Sequence, residues 1–403
     1  MCGKKDSKKV RKKKIVKGIF IIGAFLFLLQ AGVGLQAAEV SEAEPIIQGS
    51  VQPEEDLEEI TGILDFSELD RFLEEEDQPG FSEYIGKCIN GDLEFDFKGL
   101  WESVKTLIAG SFEKSRDTLV QILILSVAFS VLHNFANTFH NSQVSTISYY
   151  MVYLVLMVLL MRSFMAVNDL VVTALRTVMG FMNCLMPVFT LALVFSNGQV
   201  SALGFYEIAL IIIYLVEYAV IYLLVPAVRL YVVLVMLNHI ATEEVLSNLT
   251  ALIRSGISWA LKILFTFVIG LNVIQGLLGP ALDQYKRSFM SKGLSAIPGV
   301  GNTVQSVSEL ILGTGMVIRN SVGVTALVIL VVLCASPCIQ MAVMALFYKL
   351  AAAVMEPVTD KRISGAVAGV GSGVMLLFKS LFTVVILFFI TIAVICAASG
   401  VMA

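Results

Sequence analysis

Apolar residues dominate the chain from about Thr118 to Val401, in long runs separated by short polar or proline-containing segments. These runs predict six to eight membrane-spanning helices of about 20 residues each. A composition of 57% hydrophobic and 15% charged residues also departs from that of soluble globular proteins. The predicted fold class is therefore an all-α, polytopic helical membrane protein that contacts the lipid bilayer.

Parts of the membrane region recur in matching order, which predicts an internal duplication with units at about 170–279 and 281–398. The matched pairs are Arg176 with Arg287, Pro187 with Pro298, Pro226 with Pro337 and Lys262 with Lys379. Chance similarity between apolar helices is the alternative interpretation. Duplicated helices interrupted by proline are common in transporters. All four prolines are therefore predicted to be hinges or helix breaks, with a turn or kink at Pro226.

Residues 1–38 have the pattern of a signal peptide or an N-terminal anchor. A lysine-rich stretch ending at Lys14 precedes an apolar core at 19–29, and small residues follow at Ala37 and Ala38. This pattern places the next segment, 39–115, outside the cytoplasm. The multi-span membrane domain then covers 116–403.

The segment 39–115 is strongly acidic and short of apolar residues. Between Glu39 and Gly80 there are fifteen acidic residues and one basic residue. Such a charge repels nucleic acid and anionic headgroups, so nucleic acid is excluded as a partner. Apolar positions between Leu64 and Leu73 predict a short amphipathic helix with Ser67 as its N-cap, and a second helix follows from Phe81. The segment is too small for a large core of its own, and we expect it to dock on the membrane or on a partner.

Ionisable residues inside the predicted spans are the candidate functional residues. A charge in lipid is energetically costly, so such residues occur mainly where they have a function or an ionic partner. They are Glu207, Glu217, Arg229, Lys262 and Lys379. The two lysines could line a cavity and bind an anionic group, or extend to the membrane interface. Glu217 lies in the middle of a span. It has either a transport role or a structural role, in an ion pair with Arg229 across Pro226.

The chain lacks the sequence patterns of hydrolases, zinc proteases and nucleotide-binding loops. Cys334 and Cys338 are one helical turn apart, but no further ligand accompanies them, and packing is the better interpretation. We therefore predict no enzyme activity, no metal site and no cofactor. The glycine-rich stretch 365–373 favours close packing of helices over phosphate binding.

Four stretches in the C-terminal third, at 297–301, 317–323, 333–337 and 348–357, resemble the stage III sporulation protein AE family of endospore-forming bacteria. The resemblance implies a multi-pass protein of the mother-cell membrane around the forespore. It also implies a complex with the other stage III A proteins and a forespore membrane partner, which together form a channel. No functional residue is carried over from the family.

Two functions remain open from the sequence. The first is a permease-like subunit of this channel complex, which the repeat, the prolines and the intramembrane charges favour. The second is a scaffold that anchors and assembles the complex without transporting anything, favoured by the lack of a clear substrate-binding cluster.

Overall fold

The structure is a computed structural model, and its described residues are almost all helical. It describes residues 64–89, parts of 105–131, 142–197, 200–240, 246–294, 301–357 and 359–397. These residues belong to one unit, Leu57–Ala403, and contain no strand. The all-α prediction is confirmed. The predicted signal and most of the acidic segment lie outside the described residues, as does Pro298.

The structure gives bounds for eight α-helices and one π-helical turn within the described residues. They are α1 (Ser67–Glu75), α2 (Phe81–Ile89), α3 (Ser142–Asn197), α4 (Val200–Ala219), a π-helical turn (Val220–Leu224), α5 (Val225–Ile240), α6 (Ser247–Leu294), α7 (Gly301–Met355) and α8 (Lys361–Ala397).

Five stretches of the described residues are long and apolar enough to cross a membrane. They are Tyr153–Ala192, Ile211–Ile240, Ser247–Ile274, Ile318–Met355 and Lys361–Cys396. The further span predicted at 118–139 lies mostly outside the described residues. A helix such as α3, with 56 residues, is about 84 Å long at 1.5 Å per residue, well over the roughly 30 Å hydrocarbon layer. Such helices therefore extend beyond the lipid core.

Large apolar side chains are exposed along these spans. They run from Ile147 to Met165 on α3, from Leu249 to Ile274 on α6 and from Val332 to Val354 on α7. In water, so much exposed apolar surface would be costly, whereas in a bilayer it contacts lipid chains. The exposure therefore agrees with the membrane assignment.

The helices run through two prolines that were predicted to break them. Pro187 lies inside α3 and Pro337 lies inside α7, so the helix breaks predicted at these positions are wrong, whereas the alternative, a hinge, stays a prediction. Each proline removes one helical hydrogen bond, and neighbouring helices and local adjustments tolerate that loss in a membrane protein. The spans expected on either side of each proline are single long helices.

Pro226 also leaves the chain helical, but with a local change of winding. The Val225 N–H donates to the Val220 carbonyl five residues earlier, which defines the π turn. The next bond of this kind would need an N–H at residue 226, and proline has none. The wider turn ends there, and α4, the π turn and α5 form one continuous helical segment. The predicted turn at Pro226 is thus a π bulge, a common adjustment next to proline.

Helix α8 packs against both α5 and α7 through glycines. Gly365 lies against His239 and Gly373 against Val232, so α5 and α8 are antiparallel. Gly371 lies against Tyr348, and Gly323 of α7 lies against Cys396, so α7 and α8 are antiparallel as well. The packing role predicted for the glycine-rich stretch is confirmed. Both neighbouring helices are antiparallel to α8. Helices α5 and α7 therefore run in the same direction.

Helices α1 and α2 form a hairpin joined by one carboxylate. Asp70 of α1 accepts hydrogen bonds from the Ser82 backbone N–H at 3.0 Å and from the Ser82 hydroxyl at 2.5 Å. Ser67 is the first residue of α1 and makes no side-chain cap, so its prediction as N-cap is wrong. Asp65 instead accepts a 3.0 Å bond from the Ser67 N–H, and its carboxylate supplies the cap.

The hairpin packs on the membrane helices. Phe72 of α1 lies over Gly180 of α3, and its ring centroid is 6.5 Å from that of Phe181. The Thr177 hydroxyl donates to Glu76 at 3.2 Å. The apolar side of the hairpin, including Leu69 and Leu73, is fully buried. The predicted amphipathic helix therefore docks on the bundle through its apolar side.

Candidate functional site within the helical bundle

Glu217 is the ionisable residue that the bundle encloses most completely. It lies at the end of α4, one turn before the π turn, and its side chain is fully buried. Neither carboxylate oxygen has a hydrogen-bond partner among the residues the structure describes. Helix α4 packs against α3, α6 and α8, and the Cys334 thiol of α7 lies within electrostatic range of Glu217.

The predicted ion pair between Glu217 and Arg229 is absent. Arg229 donates from Nε to Oδ1 of Asn168 at 2.8 Å, and the Asn168 amide donates to Asp169 at 3.1 Å. The physical reason is the continuity of the helix through Pro226. Twelve residues of helix separate Glu217 from Arg229 by about 18 Å along the axis. Without the predicted turn, the two side chains cannot meet.

Lys262 and Lys379 lie at similar heights on neighbouring helices. The Leu246 N–H donates to Oδ1 of Asn238 across the α5–α6 connection, so α6 runs antiparallel to α5. Since α8 is also antiparallel to α5, α6 and α8 are parallel. A 2.8 Å bond from Asn272 to Thr391 joins α6 and α8, and the two lysines precede these residues by ten and twelve positions. Both lysine side chains are exposed. The fifth candidate, Glu207, lies in α4, and its side chain is outside the described part.

Several buried polar residues lie outside the five candidates. Arg319 of α7 is fully buried and donates from Nη2 to Asn320 at 3.2 Å. The Tyr153 hydroxyl donates to the Met236 carbonyl at 2.7 Å, and that of Tyr348 donates to Ser163 at 2.5 Å. A polar residue inside an apolar run was the available signal. For the two tyrosines the partner lies on another helix, far away in sequence, and no local pattern identifies it.

Two grooves open at the surface of the described bundle. One, of about 400 Å³, is lined by Tyr231, Thr250, Ala251, Arg254, Ser255 and Ser258. The other, of about 510 Å³, is lined by Val158, Met161, Arg162, Met165, Ala166 and Asp169. Within the described ranges, no group of three or more His, Cys, Asp or Glu side chains could hold a metal ion. The buried interior between the helices is filled mainly by apolar side chains.

The comparisons with known proteins identify the family. The family model described as stage III sporulation protein AE matches residues 80–399. The chain belongs to the stage III sporulation protein AE family. The matched range begins just before α2 and includes all five apolar spans. The resemblance drawn from the C-terminal third is therefore confirmed, over a longer part of the chain.

A curated relative supports the same assignment. Stage III sporulation protein AE of Bacillus subtilis (strain 168) is 27% identical over 316 residues, which cover 77% of this chain and 78% of the relative. No solved structure matches the chain. Membership of this family implies a role in sporulation, and the five apolar helices place that role at a membrane.

Proposed function

We propose that this chain is a membrane subunit of the channel complex between mother cell and forespore, assembled with the other stage III A proteins and a forespore membrane partner. Membership of the sporulation family and the five apolar spans support a membrane-bound role in that complex. In this proposal the acidic N-terminal segment, including the α1–α2 hairpin, faces the space between the two membranes.

The docked hairpin is the observation that carries the proposal. Its apolar side is buried on α3, whereas Glu68, Glu74 and Glu75 are exposed. An amphipathic helix fixed to a membrane bundle in this way presents its charges on a surface of defined orientation. Such a surface suits a subunit that contacts other proteins at the membrane, and its charge favours partners with a basic face.

The finer function within the complex is the permease-like role, and the buried carboxyl of Glu217 supports it. The scaffold alternative is supported by two other observations. Apolar side chains fill the interior, and the segments α5 and α7 run in the same direction. If these segments are matched units of a duplication, as we propose for 170–279 and 281–398, the units are parallel. Inverted units, the arrangement of many transporters, would favour permeation more strongly.

Replacing the intramembrane charges in the native host separates the two functions. Glu217→Gln and the double change Lys262→Gln with Lys379→Gln remove ionisable groups with little change in size. Lys349→Gln, at an exposed lysine on α7, is the matched control. The readouts are spore yield, protein accumulation and co-purification of the other stage III A proteins. Loss of spores with accumulation and co-purification intact supports the permease-like role, whereas normal spore yield in all variants supports the scaffold.

A further inference from the structure

The surroundings of Glu217 make a negative charge on its carboxylate energetically costly. The side chain is fully buried on a helix that crosses the apolar region, and both oxygens lack hydrogen-bond partners within the described ranges. An ionised carboxylate without a partner is very costly in such surroundings, and a neutral carboxylic acid is far less so. The geometry therefore favours a proton on this carboxyl over a bare charge.

Within the described parts of the surrounding helices, no cation offsets a charge on Glu217. Among the described residues of the spans packed against α4, every charged side chain is exposed except that of Arg362, which is half-buried and lies 4.0 Å from Asp360. These residues are Arg162, Asp169 and Arg176 on α3, Arg254 and Lys262 on α6, and Lys361, Arg362 and Lys379 on α8. The buried Arg319 on α7 is fifteen residues, or about 22 Å of helix, from Cys334, the thiol in electrostatic range of Glu217. A bound proton is thus the available means of neutralising the carboxyl.

The helical segment that carries Glu217 contains a π turn close to this residue, an irregularity of the kind found at functional sites. The π turn begins three residues after Glu217 and ends at Leu224, two residues before Pro226. Such turns interrupt the regular hydrogen bonding and occur frequently where a helix binds or moves. Glu217 therefore stands next to the least regular part of its span, where a local change in winding would alter its burial.

We propose that Glu217 is a proton-binding site within the membrane-spanning region. In the packed state its carboxyl holds a proton, and the proton leaves when water reaches the side chain. This inference goes beyond the proposed function, because a proton site can serve permeation or control assembly.

Dicyclohexylcarbodiimide, an apolar reagent that reacts with protonated carboxyls, tests this proposal on the full chain in native membranes. The carboxyl oxygen adds to the central carbon of the reagent and the carboxyl proton moves to one of its nitrogens. The adduct rearranges to an N-acylurea without a leaving group. Mass spectrometry of digested protein then locates the added reagent. We expect the label on Glu217, with a yield that falls as the pH rises, and none on the exposed Asp169 or Glu356.

Two comparisons make the result decisive. Glu217→Gln is expected to lose the label, and the wild-type digest locates it even if that variant fails to accumulate. Absence of label on Glu217 at every pH where the protein stays folded would overturn the proposal. Protection by sodium or lithium ions at constant pH would also overturn it, because the site would then bind a metal cation in place of a proton.

Discussion

Asn168 of α3 accepts a 2.8 Å hydrogen bond from Nε of Arg229 on α5, although 61 positions separate the two residues in the chain. Asn168 is fully buried, while Arg229 is half-buried. The pair joins α3 to the segment that carries Glu217, and it satisfies an arginine that sequence reasoning assigned to a different partner.

Replacing Asn168 by leucine should destabilise the protein. The change keeps the branched shape of the side chain and leaves the Arg229 Nε without its acceptor, at a cost of about 2 kcal/mol. The measurement is thermal unfolding in detergent. Adding Arg229→Met to Asn168→Leu should recover most of the loss, because both polar partners are then gone. A double variant as unstable as the sum of both single variants would contradict this account of the pair.

Enlarging the glycines of α8 should separate it from α5. A Cβ at Gly369 would overlap the Val235 side chain, and one at Gly373 would overlap Val232. Leucine at either position should therefore cost about 3 kcal/mol or more through overpacking. Leucine at Gly256 or Gly270 of α6 is the matched control, since nothing lies within 4 Å of a Cβ there. The same thermal unfolding assay applies, and equal losses at all four positions would argue against specific packing.

A larger residue at Gly180 should release the hairpin. A Cβ at this position would lie 2.6 Å from the Phe72 ring, so Gly180→Leu displaces α1 from α3. We expect faster cleavage by added protease between α1 and α2, with the membrane helices left intact. Gly86→Leu in α2, where a Cβ meets nothing within 4 Å, should leave the cleavage rate unchanged. Protection unaffected by Gly180→Leu would mean that the hairpin does not depend on this contact.

The thiol of Cys88 in α2 should react slowly with maleimide. Burial raises its pKa above the usual value, and the nearby hydroxyls of Thr325 and Ser321 lower the pKa in part. The reactive thiolate therefore forms at higher pH than in the unfolded chain. Burial of the protonated Cys88 thiol contributes to stability below the pKa that this thiol has in the unfolded chain. That contribution is lost as the pH rises through the higher pKa of the thiol in the folded protein.

Peptide mapping of maleimide-treated protein over a pH series checks this prediction. Labelling of Cys88 should rise at a higher pH in the folded protein than in denaturant. Ser321→Ala with Thr325→Ala should move the rise to higher pH still, because the hydroxyls that lower the pKa are gone. Labelling that follows the denatured profile would show that α2 does not cover the thiol.

The fold class and the amphipathic helix were predictable from the sequence because they depend on local patterns. Long apolar runs require helix in a bilayer, and the apolar positions around Leu69 and Leu73 follow a helical period. The packing role of the glycines around Gly369 was equally local. A small residue on a membrane helix has few other uses.

The predictions that failed depended on distant neighbours. Whether Pro187 breaks a helix is decided by the helices packed around it, which no local pattern contains. The partner of Arg229 was misassigned because a break at Pro226 was assumed, and a continuous helix directs Arg229 to Asn168 on α3. The lack of a partner for Glu217 likewise became visible only once the charged residues in the described parts of the neighbouring helices were placed.

The most direct test of the proposed function is purification of the tagged full-length chain from membranes of the sporulating native host. The account predicts that the other stage III A proteins co-purify with it. It also predicts that charge reversal at Glu68, Glu74 and Glu75, on the exposed side of α1, weakens this association while the protein still accumulates. A chain that purifies alone from cells that complete sporulation would contradict the account.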